Sequence, residues 1–386
     1  MRQPIYCGDH QAICHLPSGE PVVVDTRSDD SLDYLLGWEI ERHVMPVFHR
    51  LLTPRTRFID VGANFGAYSA IAAGHCISQG SILAVEANPH VFRLLERTMY
   101  CNRARHLPNV RLVNMAASDA SGQTVNLSVA PNALGGSSLW RPRQTQGCQD
   151  VAVPTTTIDD LVGDDTIIDL VKIDVEGHEP YVLRGMSKLI ARSPHINIIM
   201  EMFSVIVEGV FGSTRALQEE ISSYGLRLFV IGENGALSER APETPVTGNQ
   251  YVLLTRDPAQ AEGRLLRIDA GALSVSPLYD LRPEHRRPLS PPLERIQPTA
   301  HLFYGPYAKL AAGTYRVTFD GALDGPFIIS FVSDGGRTIF HNQTINSFAD
   351  DLEFTLPHDV TDFEVVGTPV SRPQHFVLRQ VSLLRL

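Results

Sequence analysis

Cysteine is scarce in this chain: five occur in 386 residues, Cys7, Cys14, Cys76, Cys101 and Cys148, with no C-x-x-C pair and none beyond position 148. Disulfide frameworks and structural zinc sites announce themselves by close, paired spacing, so neither is expected and the thiols are read as reduced and packed. Long apolar runs are also missing. No stretch approaches the roughly 20 residues that cross a bilayer, and the start, MRQPIYCGDH, lacks the basic-then-apolar layout of a secretory signal. A cytoplasmic protein with no membrane span is the default expectation. Bases are outnumbered, 33 against 43 acids for a net charge of −10, and the deficit is uneven. Residues 264–386 hold 12 Arg and Lys and 13 Asp and Glu, so −9 falls on residues 1–263. Nucleic-acid affinity comes largely from clustered cations on phosphates, and this acidic front half is a poor candidate for it. Lysine is the rarest charged type, with only Lys172, Lys188 and Lys309, and no function follows from that scarcity. G-x-S-x-G and G-x-x-x-x-G-K-[ST] are absent, which removes hydrolase-elbow and P-loop readings. His43, His49, His75 and His301 are scattered without triad spacing.

What is present is a chain 43% hydrophobic and 20% charged, long enough for two soluble domains. Three regions follow from pattern and punctuation. Residues 1–56 form a lead-in, with EPVVVDT (20–26) as a strand and apolar positions from Leu32 to Leu51 at helical spacing, laid over the next domain. Residues 57–257 alternate strand and helix: RFIDVGA, a helix over about 66–78, SILAVEA, a helix over about 90–103, NVRLVNMAAS as one strand (109–118), then DLVKIDVE, a helix over about 178–191, INIIMEMFS, a helix over 213–223, LRLFVIG and QYVLLTR. Such alternation implies right-handed crossovers and a buried parallel sheet, with 121–158 inserted as a long turn-rich segment that would cover a site. After the polar linker DPAQAEG (257–263), residues 264–386 show a proline-rich run and short strands without helical period, which predicts a smaller all-β sandwich. No repeat is evident.

The strongest chemical signal is Asp60-Val-Gly62-Ala-Asn64-Phe-Gly66 at the end of the first core strand. Glycines there allow a tight turn and close approach of a ligand to the backbone at a helix N-terminus. A lone Gly-rich turn is weak evidence; Glu86, closing the second strand 24 residues after Gly62, strengthens it, because an acid there accepts hydrogen bonds from ribose hydroxyls. Its bland alternative is an exposed acid before a helix starting at Asn88-Pro89. In a dinucleotide fingerprint glycine stands where this chain has Asp60. A carboxylate beside the turn repels pyrophosphate and suits an ammonium, which points to S-adenosylmethionine over NAD.

FIDVGANFGAYS, VEANP, NMAASDASG, TTTIDDL and KIDVEGHE occur in the order found in the FkbM family of S-adenosylmethionine-dependent methyltransferases, and the chain resembles that family over about residues 20–256, including VVVDT, Gly37-Trp38-Glu39 and GGSSL. The resemblance implies an α/β fold with a Rossmann-like seven-stranded methyltransferase sheet and O-methylation of hydroxyls on sugars, glycans or polyketide-like products. It implies further that Asp60, Gly62, Asn64 and Gly66 line the methionine moiety, Glu86 binds the ribose, and Ala117, Ser118 and Asp119 border the adenine. Asn88 of VEANP is counted with the cofactor-binding set. Asp119 equally well caps the turn into Ser121-Gly122.

A second cluster, Asp174-Val-Glu176-Gly-His178-Glu179, follows the apolar strand LVKI, whose end is expected beside the first strand and so faces the transferable methyl. Methylating an alcohol needs positioning and a base for the hydroxyl proton. His178 has a suitable ordinary pKa, and Asp174 or Glu176 either act directly or orient the imidazole. Glu179 reads as part of a solvated helix start with Pro180. Glu201, ending INIIMEM, is placed on the same rim to bind a hydroxyl, assist the base or, with Asp174, hold a divalent cation; the cation is the less favoured reading and no metal site is assigned. In the tail, HLFYGPYAKLAAGTYRVTF (301–319) resembles sandwich modules appended to bacterial glycan enzymes; Tyr315 reads as core, and Tyr304 and Tyr307 are left open between core and sugar stacking. The expected function is transfer of methyl to a hydroxyl of a sugar, glycan or glycolipid precursor. The rivals are a polyketide or other natural-product methyltransferase, a non-catalytic glycan-binding protein and a nicotinamide-dependent oxidoreductase.

Overall fold

The computed structural model describes residues 3–53, 55–76, 80–104, 107–130, 132–139, 147–269, 273–275, 301–350, 352–371 and 373–386. Short runs rich in Val, Ile, Leu and Phe pair into one sheet: β1 (Arg57–Val61), β2 (Ser81–Val85), β3 (Val110–Val113), β4 (Leu170–Ile173), β5 (Asn197–Phe203), β6 (Arg227–Ile231), β7 (Leu237–Arg240) and β8 (Asn249–Thr255). The order is β7-β6-β8-β5-β4-β1-β2-β3. β3, β2, β1, β4 and β5 are parallel, and β8 enters antiparallel between β5 and β6. Strand order reverses between β1 and β4, where Asp60 lies opposite Lys172 and Val61 opposite Ile173. In an open α/β sheet a ligand crevice forms outside the carboxyl ends at such a reversal.

Eight strands stand where seven were expected. The extra one, β7, is the polar segment LSER, which hairpins onto β6 at the sheet edge; paired on one side only, it carries no apolar alternation to read. The run 109–118 is also two pieces. The Asn114 amide donates to the carbonyls of Glu86 and Ala87 at 2.8 and 3.1 Å and turns the chain, so β3 stops at Val113. Ala116–Ala117 then pairs in parallel with Gln149–Thr156, which carries Thr124–Ala130 and Ala133–Ser138 as a small separate sheet.

Helical segments break where glycine permits it. The lead-in holds two helices, Leu32–Leu36 and Met45–Leu51, with Gly37 in the left-handed conformation ending the first. Before them Ile5–Gly8, Gln11–His15 and Pro21–Asp25 form an antiparallel meander, of which the sequence reading held only the last strand. Phe48 packs edge-on against Phe58 and Tyr68, seating the second helix on the sheet. The helix expected over 178–191 is divided at Gly185, where a Cβ would lie 2.0 Å from the Ser118 carbonyl oxygen. Ser204–Phe211 is an additional helix directly after β5. Among the described residues no helix is long and apolar enough to cross a membrane.

The chain divides into two compact units, Met1–Pro258 and Ala259–Leu386. In the second, one antiparallel sheet is ordered Leu265–Asp269, His375–Arg385, Gly313–Asp324, Leu352–Leu356. The other is ordered Ser274–Val275, Phe303–Tyr304, Val360–Pro369, Phe327–Ser333, Thr338–Ile345, with Pro306–Leu310 also on Val360–Pro369. Their inner faces share a core in which Phe331 and Phe354 stack at 4.4 Å and Phe354 and Phe363 at 5.2 Å. Tyr315 belongs to this core, stacked on Phe354, whereas Tyr307 is 53% exposed. Phe331→Ala removes a fully buried ring from between the sheets and is expected to cost about 3–5 kcal/mol, measured as a fall in the urea midpoint of unfolding.

Candidate active site

A cavity of about 250 Å³ opens at the carboxyl ends of β1, β2, β4 and β5. Its floor is the glycine turn after β1. Gly62 adopts φ +78°, and a Cβ there would stand 1.8 Å from the Asp174 carbonyl oxygen, so the turn requires glycine for both conformation and space. The turn's N–H groups point back into the protein: Gly62 and Ala63 donate to the Val85 carbonyl at 2.9 and 3.1 Å, Asn64 to Glu86 Oε2 at 2.9 Å and Gly66 to the Ala63 carbonyl at 2.8 Å. Four donors that would cradle a phosphate are thus committed. Asn64, itself at φ +49°, lines the cavity with a buried Oδ1 that has no hydrogen-bond partner.

Two buried acids flank the turn. Glu86 is 8% exposed and accepts from the Asn64 and Asn88 N–H groups, one on each carboxylate oxygen, leaving each oxygen a further lone pair; burial pushes it up to about 7. Asp60 accepts from the Ser69 hydroxyl at 2.7 Å, and burial, offset in part by Lys172, raises it to about 6.

Of the residues expected here, Asp60, Gly62, Asn64, Glu86, Ala117, Asp174, His178 and Glu201 line the cavity, while Gly66, Asn88, Ser118 and Asp119 do not. Each exception has a physical reason. Gly66 (φ +89°) is where the following helix crosses Leu95, whose Cδ1 would be 2.6 Å from a Cβ. Asn88 caps the helix Pro89–Cys101, accepting from the N–H of His90 at 3.0 Å and donating to Ser137 Oγ at 3.1 Å. Ser118 Oγ bonds His178 Nε2 at 3.0 Å, and Asp119 is exposed beside it.

The opposite wall is acidic. Asp174, Glu176 and Glu201 bring carboxylate oxygens within 4.8 Å of one another, a spacing that admits a cation, although like-charged acids this close also serve as proton acceptors. Burial, then its acidic neighbours, pushes Glu176 up to about 8; burial and Asp174 push Glu201 up to about 7, while Asn249 donates to Glu201 Oε1 at 3.0 Å. His178 behaves differently. Burial lowers it to about 4, and its ring stacks on Tyr181 at 4.5 Å, so at neutral pH it is uncharged and weakly basic. Glu179 is not solvated: it is buried and folds back to accept from the N–H groups of Val175 and Gly177 at 3.0 and 3.1 Å, shaping the loop that carries Asp174 and Glu176.

Sequence reasoning missed much of the cavity's polar lining, Lys172, Glu41, Tyr68 and Tyr251 among it. Lys172 was visible as a lysine inside the strand LVKI, a rare place for one; the others carry no local signal. The lead-in also reaches the cavity through Asp30, whose Oδ2 accepts from the Gly135 N–H at 2.7 Å and ties the lead-in to the insert.

A parallel-based sheet whose strand order reverses under an acid-lined cavity, beside a glycine turn, is the ligand site of an open, Rossmann-like α/β domain. Residues 60–228 match the family described as Methyltransferase FkbM domain, and the chain carries that domain there; residues 229–386 lie outside the match. The chain is similar to Hexuronic acid methyltransferase AglP of Haloferax volcanii, 32% identical over 131 residues that make up 33% of this chain and 48% of that protein. It thus spans about half the length of this curated relative. Similar solved structures include Precorrin-6y C5,15-methyltransferase from Geobacter metallireducens GS-15 (15% identity, TM-score 0.33, covering 56% of this chain and 88% of that one). P. horikoshii TYW2 in complex with MeSAdo is another (13% identity, TM-score 0.32, 65% and 74%).

Proposed function

We propose that this chain is an S-adenosylmethionine-dependent O-methyltransferase acting on a hydroxyl of a sugar-bearing acceptor. The observation that carries the donor assignment is the glycine turn, whose N–H groups are committed while Asp60 and Glu86 remain in the cavity. That arrangement suits a cationic ligand without phosphate, and the unpartnered Asn64 Oδ1 offers a further acceptor. A nicotinamide dinucleotide would find four of the turn's N–H groups already used and the Asp60 carboxylate beside its pyrophosphate. S-adenosylmethionine, when bound, supplies a methyl group on a sulfonium. The chain's own residues do the rest: Glu86 accepts from the ribose hydroxyls, Asp174 orients the acceptor hydroxyl, and Glu201 takes its proton. Glu201 is preferred over His178 as base because a group near neutrality both stays ionised and holds a proton well, whereas an imidazole near 4 does not. The sugar acceptor rests on the FkbM domain and on the relative named for hexuronic acid.

Calorimetry with S-adenosylhomocysteine tests the donor site: binding is expected, weakened about 100-fold in Glu86→Ala by loss of two charge-assisted hydrogen bonds. No heat with wild type, or equal affinity in the variant, would sink the assignment. Transfer of labelled methyl to a sugar separates this reading from a non-catalytic glycan binder and from a polyketide acceptor.

A further inference from the structure

Segments far apart in the chain converge on one ammonium group. Lys172 is 3% exposed, and its Nζ lies 2.7 Å from Asp174 Oδ2, 3.7 Å from Glu41 Oε1 and 4.6 Å from the centre of the Tyr68 ring. The Tyr251 hydroxyl donates to the same Asp174 oxygen at 2.9 Å, and the Tyr68 hydroxyl donates to Glu41 Oε2 at 2.5 Å. Tyr251 is also the cross-strand partner of Glu201. Packing alone does not account for this. A buried ion pair contributes little net stability against apolar residues of the same volume, so a strand-centre lysine among acids is poorly explained as scaffold. Glu41 and Tyr251, moreover, line the cavity from outside residues 60–228.

We propose that Lys172 is a positioning residue for the acceptor: with Tyr251 it saturates Asp174 Oδ2, which leaves Oδ1 to receive the acceptor hydroxyl, and it draws Glu41 of the lead-in into the acceptor wall. The lead-in and β8 are therefore working parts of the reaction site. This rests on the methyltransferase reading above. Burial alone would strip Lys172 of its proton, but Asp174, Glu41 and Asp60 outweigh it and hold the group above the ordinary lysine range, with Tyr68, Tyr251, Tyr34 and Glu201 the other ionisable groups around it.

The chain's three lysines allow a direct test. Selective ¹³Cε-lysine labelling gives three resonances, and Lys172→Met assigns one. Up to pH 11 the Lys172 resonance is expected to stay fixed in wild type, and to shift in Tyr251→Phe and Glu41→Gln. With methyl glucoside and methyl glucuronoside as acceptor probes, Tyr251→Phe is expected to lower kcat about 10-fold and Lys172→Met about 100-fold, Lys172→Arg recovering part of that loss, with S-adenosylhomocysteine affinity within about twofold throughout. A Lys172 signal that titrates below pH 11 overturns the proposal. So does an unchanged kcat in Tyr251→Phe, or a parallel loss of S-adenosylhomocysteine affinity. Wild type that binds S-adenosylhomocysteine but methylates neither glycoside contradicts the acceptor class instead, and the resonance titration then decides the network.

Discussion

Gly62→Ala is expected to abolish S-adenosylhomocysteine binding and to cost about 4 kcal/mol of stability, roughly 10 °C in Tm for a unit of this size. Two effects add. An alanine at φ +78° is strained in its backbone, and its Cβ would overlap the Asp174 carbonyl oxygen at 1.8 Å. Relief requires the β1 turn and the β4 end to part, and these carry Asn64 on one side and Asp174 on the other. Gly122→Ala separates the two effects. Gly122 has nearly the same φ, +77°, but nothing lies within 4 Å of its Cβ position, so only the backbone term applies. That control is expected to lose about 1 kcal/mol and to bind S-adenosylhomocysteine normally. Thermal unfolding and calorimetry on both variants check the pair; equal losses would mean that close packing of β1 on β4 contributes nothing.

What could be read from the sequence was what is local. Asp60, Gly62 and Glu86 stand at strand ends, each marked by an apolar run before it and a turn after it, and a parallel sheet places such ends on one rim whatever the details of packing. The same rim logic reached Asp174 and Glu201. Local signals misled where two uses compete for one residue type: Asn88 before a proline is an N-cap, and Gly66 serves a helix crossing. Glu179 looked like a solvated dipole partner because nothing in Glu-Gly-His-Glu-Pro says that the side chain turns back into its own loop. Lys172, Glu41, Tyr68 and Tyr251 were out of reach for a different reason. Their relation is tertiary, between residues as far apart as 41 and 251, and it exists only once β8 has entered beside β5 and the lead-in has packed on the sheet. The polar β7 was overlooked because an edge strand needs no apolar face.

Glu201→Gln is expected to lower methyl transfer about 100-fold at pH 8 while making the ligand-free protein more stable there. Wild-type activity should rise with pH through about 7 as Glu201 ionises, and then level off. The variant keeps an oxygen for the Asn249 amide but cannot take a proton, so that limb disappears. Stability moves the other way. Burial raises Glu201 in the folded state above its ordinary carboxylate range, so the folded protein holds the proton more tightly than the unfolded chain. The stabilising contribution is complete below about pH 4, at the unfolded value, and is lost as pH rises through the folded value of about 7. Glutamine removes this pH-dependent loss, so the Tm of Glu201→Gln should approach that of wild type at pH 4 and exceed it at pH 8. Removing the Glu201 charge also relieves Glu176, whose value of about 8 is raised in part by that neighbour. Opposite signs in activity and stability are what a strained functional acid produces. A Glu201 serving only the scaffold would lose Tm on substitution and leave the pH profile in place, and paired pH–rate and pH–Tm curves distinguish the two roles.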